Sequence, residues 1–158
     1  MSELLLSIGE VAERIGLSLR SIRYYEEVGL AIPSARTKGG HRLYSEDDVD
    51  RLLLIMKMKP LDFSLEEMGA VFRVIDVLRD QATPDADREV ARARLDMYGS
   101  LVEERLRWLQ ERLVIAHDFR RWIQAEVAGQ RPDPAPSTVV TQTDFRASSA
   151  TMTALPEA

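Results

Sequence analysis

Residues 7–67 alternate short amphipathic segments with residues that begin or end helices, and this punctuation limits most strongly what the chain can fold into. Ser7, Ser45 and Ser64 each precede an acidic residue by three positions, which is the pattern of a capping box at a helix start. Gly16 and Gly29 stand where two helices should end in a left-handed residue. We therefore predict four helices, over about residues 8–15, 19–28, 46–58 and 65–79. The first two are separated by a tight turn, which is the sequence form of a helix-turn-helix.

A basic hairpin is predicted between the second and third helices. Pro33 favours extended chain, and residues 35–37 and 42–44 can pair around the Lys38–His41 turn, because glycine tolerates the positive φ of a tight turn. Residues 34–44 contain Arg36, Lys38 and Arg42 and no acidic residue. In the third helix we expect Val49, Leu52, Leu53 and Met56 to face the core, from their helical spacing.

The net charge of −5 conceals an uneven distribution. Residues 1–60 have equal numbers of basic and acidic side chains, so the whole excess of acid lies after them. Nucleic acid requires a local positive surface near its phosphates, not a basic protein overall. A second helix that carries Arg20 and Arg23, followed directly by a basic hairpin, therefore indicates DNA as a partner.

Several classes of function are excluded by what the sequence lacks. It has no cysteine, which rules out disulfides, thiolate metal sites and a cysteine redox sensor. We see no nucleophile–base set, phosphate loop or metal constellation, and we expect no enzyme, no cofactor and no metal. The first residues lack a basic segment before an apolar core, and no apolar run reaches the roughly 18 residues of a membrane span. We expect a cytoplasmic protein without a membrane partner.

A long last helix is predicted from Thr83-Pro84-Asp85, which combines a cap, proline at the first position and an acid in the first turn. It can run to about residue 128, a length of roughly 65 Å, which is too long to pack on a domain of this size. Apolar residues recur on it at the a/d spacing of a coiled coil, and we predict that they form a dimer seam: Leu95, Val102, Leu106, Leu109, Leu113, Ala116 and Ile123. The expected organisation is a DNA-binding domain over residues 1–82, a dimerisation helix over 83–129, and a mostly disordered or effector-related tail over 130–158.

Residues 7–81 resemble the DNA-binding domain of MerR-type bacterial transcription regulators. The resemblance lies in the strings IGEVAERIGLSLRSIRYYEEVGL, R36-x-x-x-G40-x-R42-x-Y44 and F63-S-L-E-E67. It implies a mainly α fold, a winged helix-turn-helix with the hairpin as first wing and residues 60–63 as second wing, and an antiparallel coiled-coil homodimer. It further implies binding to a near-palindrome in a promoter with an overlong spacer. The dimer would bend and undertwist that DNA, so that RNA polymerase engages both promoter elements, usually under control of a small-molecule effector.

The second helix has one outward face by three- and four-residue steps, consisting of Ser18, Arg20, Ser21 and Tyr24. We assign Arg20 and Tyr24 to the major groove, because the first residues of a recognition helix lie nearest the bases. The residues that we assign to phosphates or to holding the wing are Arg23, Tyr25, Arg36, Lys38, Arg42 and Tyr44. Tyr25 has packing in the core as its alternative. Lys57 and Lys59 are the cations nearest the second wing.

The chain departs from the family pattern at three positions of the wings. His41 stands where relatives often have Tyr, Asp62 where they often have Gly, and Pro60 is atypical. The acid at Asp62 would repel phosphate, which leaves DNA contact by the second wing open.

The effector end of the chain also departs from the family, since metal-sensing relatives use cysteines there. Trp108, Phe119 and Trp122 indicate either a hydrophobic ligand pocket or packing of the coiled coil. Two alternatives to an effector-responsive regulator remain. One is an effector-independent architectural or excisionase-like DNA-binding protein, and the other is a coiled-coil interaction protein that has lost DNA binding.

Overall fold

The computed structural model describes residues 5–130 and is mainly helical. The five helices are α1 (Ile8–Ile15), α2 (Leu19–Glu27), α3 (Glu46–Met58), α4 (Leu65–Arg79) and α5 (Asp85–Val127), with a 3₁₀ turn at Lys59–Leu61. The three strands are β1 (Leu6–Ser7), β2 (Ala35–Arg36) and β3 (Arg42–Tyr44). The predicted fold class, a mainly α domain with a small hairpin followed by one long helix, is confirmed.

Local capping explains why the helices begin where they do. The hydroxyls of Ser7, Ser45 and Ser64 accept hydrogen bonds from the backbone N–H three residues on, and the acid at that position accepts from the cap N–H, so all three predicted capping boxes are present. Gly16 ends α1 with φ 71°, in the left-handed conformation expected of a C-terminal glycine. These caps make the bounds of α1, α3 and α4 match the predicted ones.

The hairpin belongs to a small antiparallel sheet with the strand order β1-β3-β2. In the hairpin, Arg36 lies opposite Arg42, and Ala35 lies opposite Leu43. The chain before α1 adds the strand that the sequence did not predict, with Leu6 opposite Tyr44. The base of the hairpin is therefore fixed to the body of the domain on the side away from β2.

The core lies between α1, α2, α3 and α4. The fully buried large side chains are Tyr44, Phe72, Ile22, Leu52, Ile55, Val11 and Val49. The expected core face of α3 is wrong in part, because Leu53 is 37% exposed and Met56 is half-buried, whereas Ile55 and Met58 are buried. Residues 52–56 are all apolar, so their spacing alone does not identify the inner face.

Arg51 holds three helices together at the edge of this core. Its Nε donates to the carbonyl of Leu30, just after α2, at 2.7 Å, and its guanidinium pairs with Asp76 of α4 at 2.9 Å. The same guanidinium lies over the ring of Phe72, 4.1 Å from the centroid. Arg51 therefore links the end of α2 to α4.

The chain divides into two compact units after Glu103, although α5 continues through the boundary. In the first unit, Ala91 and Leu101 of α5 are buried. In the second unit, α5 keeps several large apolar side chains exposed, including Leu106 at 46% and Leu113 at 57%. The tail predicted for residues 130–158 lies, after Gln130, outside the described residues. Within residues 5–130, no helix has the length and apolarity that crossing a membrane requires.

Candidate nucleic-acid interface

Helix α2 presents a basic and aromatic face because its opposite face is held in the core. Ile22 is fully buried and Tyr25 is 4% exposed, so the helix cannot rotate without uncovering them. Arg20 and Arg23 are exposed, and Tyr24 is 45% exposed. Burial of Tyr25 favours the core alternative for this residue, and its ring meets that of Tyr24 at 5.6 Å between centroids.

The N-terminus of α2 is organised by two serines on the predicted outward face. The Ser18 hydroxyl caps the helix by accepting from the Ser21 N–H at 3.1 Å, and the two hydroxyls lie 2.9 Å apart. Ser18 is exposed and Ser21 is half-buried. Both hydroxyls therefore have a local hydrogen bond before any DNA is present, and Ser18 has a structural role in starting the helix.

The hairpin is joined to α2 through one carboxylate. Glu26 accepts from the Arg36 guanidinium at 2.7 Å and also from Nε of Arg42, so that it pairs with both strands. The Glu26 side chain is only 14% exposed, whereas that of Arg36 is 51% exposed. The hydrogen bond to Glu26 raises the pKa of the Arg42 guanidinium above its ordinary value. Arg36 and Arg42 of the hairpin are thus oriented by α2 itself.

Tyr44 had two expected roles, phosphate contact and holding the wing. It is fully buried at the base of the hairpin, which favours the second role. Its hydroxyl has no hydrogen-bond partner in the described part of the chain. Burial, and to a smaller extent the charge of Glu26, raise the pKa of Tyr44 above its ordinary value.

Lys38 lies at the exposed tip of the hairpin, where the predicted turn is formed. The Thr37 N–H donates to the carbonyl of His41 and the Gly40 N–H to the carbonyl of Thr37, both at 2.9 Å. Gly40 has φ 81°, which explains the need for glycine there. Lys38 and His41 are both exposed at this tip.

The segment proposed as second wing forms a tight turn between α3 and α4. Asp62 follows the 3₁₀ turn with φ 63°, the one positive φ outside glycine among residues 5–130, in the left-handed region that glycine adopts most readily. The Asp62 side chain is exposed, as are Lys57 and Lys59. The surface here combines two cations with one acid, and Phe63 anchors it by burial.

Glu26 is the residue of this surface that the sequence interpretation missed. Its position four residues after the buried Ile22 places it on the inner side of α2, whereas Glu27 falls outside. This spacing was the available signal that one of the two acids faces the hairpin.

The three aromatic residues of the candidate ligand pocket lie on α5 in the second unit. The rings of Phe119 and Trp122 are stacked with centroids 6.2 Å apart, and the Arg112 guanidinium covers Trp108 at 4.5 Å. Nε1 of Trp122 is buried and has no hydrogen-bond partner in the described structure. No group of three or more His, Cys, Asp or Glu side chains in residues 5–130 is arranged to hold a metal ion.

A helix-turn-helix whose second helix exposes a basic face, with an adjoining basic hairpin, defines the class of winged helix-turn-helix DNA-binding proteins. Comparison with known families agrees, since residues 6–74 match the MerR HTH family regulatory protein. The HTH-type transcriptional regulator YfmP of Bacillus subtilis is 32% identical over 123 residues, which cover 75% of this chain and 88% of that protein. CueR of Vibrio cholerae is 32% identical over 128 residues, covering 81% and 86%. This chain belongs to the MerR family of helix-turn-helix transcription regulators, which are DNA-binding proteins and not enzymes.

Other relatives match over less of their length. The mercuric resistance operon regulatory protein of Bacillus cereus is 44% identical over 75 residues, covering 48% of this chain and 55% of that protein. The chain thus spans about half of that relative, and 26% of the activator TipA of Streptomyces coelicolor.

Solved structures give the same fold. A MerR family regulator from Bacillus cereus is similar with a TM-score of 0.51 at 29% identity, covering 95% of this chain and 97% of that one. HiNmlR, a MerR family regulator lacking the sensor domain and bound to promoter DNA, has a TM-score of 0.62 at 19% identity, covering 81% and 98%. At that identity the second likeness concerns the fold alone.

Proposed function

We propose that this chain binds a palindromic promoter site as a homodimer and controls transcription by bending and undertwisting the spacer between promoter elements. The observation that carries the proposal is the single surface formed by α2 and the hairpin. There, Arg20, Arg23 and Lys38 are exposed and make no ion pair within residues 5–130. Unpaired cations on a docking surface are what phosphate and guanine acceptors require.

Arg20 and Tyr24 are the proposed major-groove residues. They lie in the first two turns of α2, and the residues near the N-terminus of a recognition helix reach base edges. Arg23 and Lys38 are proposed to contact phosphates and so to fix the register without reading the sequence. Arg36 and Arg42 are proposed to hold the wing, since both pair with Glu26. The proposed role of Lys59 is a phosphate contact from the second wing.

The apolar seam of α5 supports the homodimer. In the second unit, Leu106, Leu109, Leu113 and Ile123 are between 37% and 57% exposed. An exposed apolar stripe of this length is costly in water and marks an interaction surface. Its heptad spacing fits a second copy of the same helix, and a C2 pair of recognition helices fits a palindrome. Leu95, Val102 and Ala116 are proposed to extend the seam, within a dimerisation segment over residues 83–129.

Response to a small-molecule effector is the finer part of the proposal. Trp108, Phe119 and Trp122 offer apolar faces, and the indole N–H of Trp122 offers a donor to a ligand. RNA polymerase at the promoter is the remaining proposed partner. An effector-independent architectural protein differs only in lacking this response.

Selection of bound fragments from random and genomic DNA, at near-physiological salt, tests the proposal. We expect one enriched inverted repeat lying in a promoter spacer, and bending measured by electrophoresis of circularly permuted fragments. Arg20→Ala should lose the preference. Arg14→Ala is the matched control, because Arg14 belongs to α1 and not to α2 or the hairpin, and it pairs with Glu46 of α3. The absence of any enriched sequence would contradict DNA recognition and favour a coiled-coil interaction protein.

The oligomeric state is tested separately by light scattering of the purified chain. We expect twice the chain mass of 17.9 kDa. A monomer at micromolar concentration would contradict the dimer.

A further inference from the structure

We propose that Glu26 determines the specificity of DNA recognition by holding Arg36 and Arg42 on the recognition helix. This inference rests on the proposed DNA-binding function. Glu26 would fix the position of the wing relative to α2 and would restrain two cations that could otherwise bind any phosphate.

The geometry gives Glu26 this role because it is the one described ion-pair link between α2 and the hairpin. Its carboxylate accepts from Arg36 of β2 at 2.7 Å and from Nε of Arg42 of β3. Arg36 and Arg42 are also register partners across the hairpin. One carboxylate therefore ties both strands to the helix that carries Arg20 and Tyr24.

The charge of Glu26 makes its ion pairs with Arg36 and Arg42 relevant to specificity, in addition to their effect on the position of the hairpin. Phosphate contacts supply affinity for every sequence, and each phosphate neutralised adds about 0.9 to the slope of log K against log salt. Glu26 neutralises part of the charge that Arg36 and Arg42 would offer to phosphates. It also holds the wing in the register that a specific complex needs, so that less freedom is lost when the specific complex forms.

The hairpin does not depend on Glu26 for its existence. β3 pairs with β1, and Tyr44 of β3 is buried in the core. We therefore expect a Glu26→Gln variant to fold with the hairpin formed but less firmly oriented.

The test compares Glu26→Gln with Glu27→Gln in the full chain. Glu27 is the next residue of the same helix, is exposed, and makes no described ion pair. Its charge acts on Arg42 through space and less than that of Glu26, so its replacement removes the same charge without breaking a hydrogen bond to either arginine. Affinity is measured for the selected site and for random DNA over a range of salt concentrations. For Glu26→Gln we expect tighter binding to random DNA, a salt slope steeper by about 0.9 for each additional phosphate that the freed arginines neutralise, and a specificity ratio at least tenfold lower. For Glu27→Gln we expect values close to those of the wild type.

A purely structural role for Glu26 would lower both affinities together and leave the slope unchanged, and that result would overturn the inference. If Glu26→Gln does not fold, Glu26→Asp keeps the charge and shortens the reach, so it should move the slope and the ratio in the same direction by a smaller amount. A folded Glu26→Asp variant with the wild-type slope and ratio would also overturn the inference.

Failure of the proposed function looks different. If the wild type itself selects no site, the proposed DNA-binding function is wrong, and the proposed role of Glu26 is wrong as well. If the wild type selects a site and the variants keep its ratio and slope, only the role of Glu26 is wrong.

Discussion

Replacing Asp48 by alanine should destabilise the DNA-binding domain by about 2–3 kcal/mol. One carboxylate oxygen, Oδ2 of Asp48, accepts three hydrogen bonds: from the Ser34 N–H at 2.9 Å, the Ser34 hydroxyl at 2.6 Å and the Ser45 N–H at 2.9 Å. It thereby closes the capping box of α3 and fixes the residue just before β2.

The magnitude follows from which of these donors water can reach. A hydrogen bond to a charged group contributes about 1.5–3 kcal/mol when the donor is otherwise left unpaired. Ser45 is 3% exposed, so water cannot reach its N–H, and Asp48→Ala loses the whole contribution of this hydrogen bond. Ser34 is exposed, so water can replace the carboxylate there and each of its two bonds contributes only several tenths of a kcal/mol. A loss of this size lowers the Tm of a domain of about 100 residues by roughly 10–20 °C.

The assay is urea unfolding followed by circular dichroism at one fixed protein concentration, because dimerisation makes apparent stability depend on concentration. Asp47→Ala is the matched control. Asp47 lies in the same first turn and shares the interaction with the helix dipole, but its side chain is 81% exposed and its ion pair with Arg79 is long at 3.8 Å. We expect a loss below about 1 kcal/mol for this control. Equal losses in the two variants would refute the assignment of stability to the hydrogen bonds of Asp48.

Three further predictions concern recognition, assembly and pH. Arg20→Ala should reduce discrimination between the selected site and its base substitutions by about 1–3 kcal/mol per half-site, measured by competition binding, with the dimer intact; unchanged preference would contradict the groove assignment. Leu113→Glu places a charge in the apolar seam and should yield a monomer by light scattering, whereas Glu111→Gln, outside the seam, should leave the dimer intact. A dimeric Leu113→Glu variant would contradict the assignment of these apolar residues to the dimer interface. Hydrogen bonds from the backbone and then the hydroxyl of Ser7 lower the pKa of Glu10 below its ordinary 4.5, so its stabilisation is present above that value and is lost as pH falls through the folded pKa. Glu10→Gln should therefore weaken the acid dependence of unfolding below pH 4.5, and an unchanged dependence would contradict this.

The helices of this fold are predictable because the residues that begin and end them are close together in the sequence. Ser7 with Glu10 and Ser64 with Glu67 form capping boxes that depend only on residues three apart, so the structure reproduces the expected helix starts. Strand β1 depends instead on pairing between Leu6 and Tyr44, far apart in sequence, and two residues are too short to show an alternating pattern. The sequence interpretation therefore did not predict β1, which forms only by pairing with a distant segment of the chain.

The proposed DNA-binding surface was predictable in its members but not in its internal connections. The outward position of Arg20 and Tyr24 follows from helical spacing around the buried Ile22. The burial of Tyr44 does not, because it depends on the strand that precedes α1. The pairing of Glu26 with the hairpin likewise requires the three-dimensional approach of two segments.

An acidic chain can still present a positive surface, because several acids of the first unit have partners other than the cations of that surface. Glu46 pairs with Arg14 at 2.7 Å, and Asp76 pairs with Arg51 at 2.9 Å, while Asp48 is occupied by its three donors. These carboxylates neutralise cations of the scaffold and leave those at the tip of the hairpin and on α2 unpaired. Screening within about 10 Å at 0.1 M salt makes DNA sense the near cations more than the net charge of −5. Neutralising a distant acid should therefore change specificity little, whereas the acid in contact with the wing arginines should change it strongly.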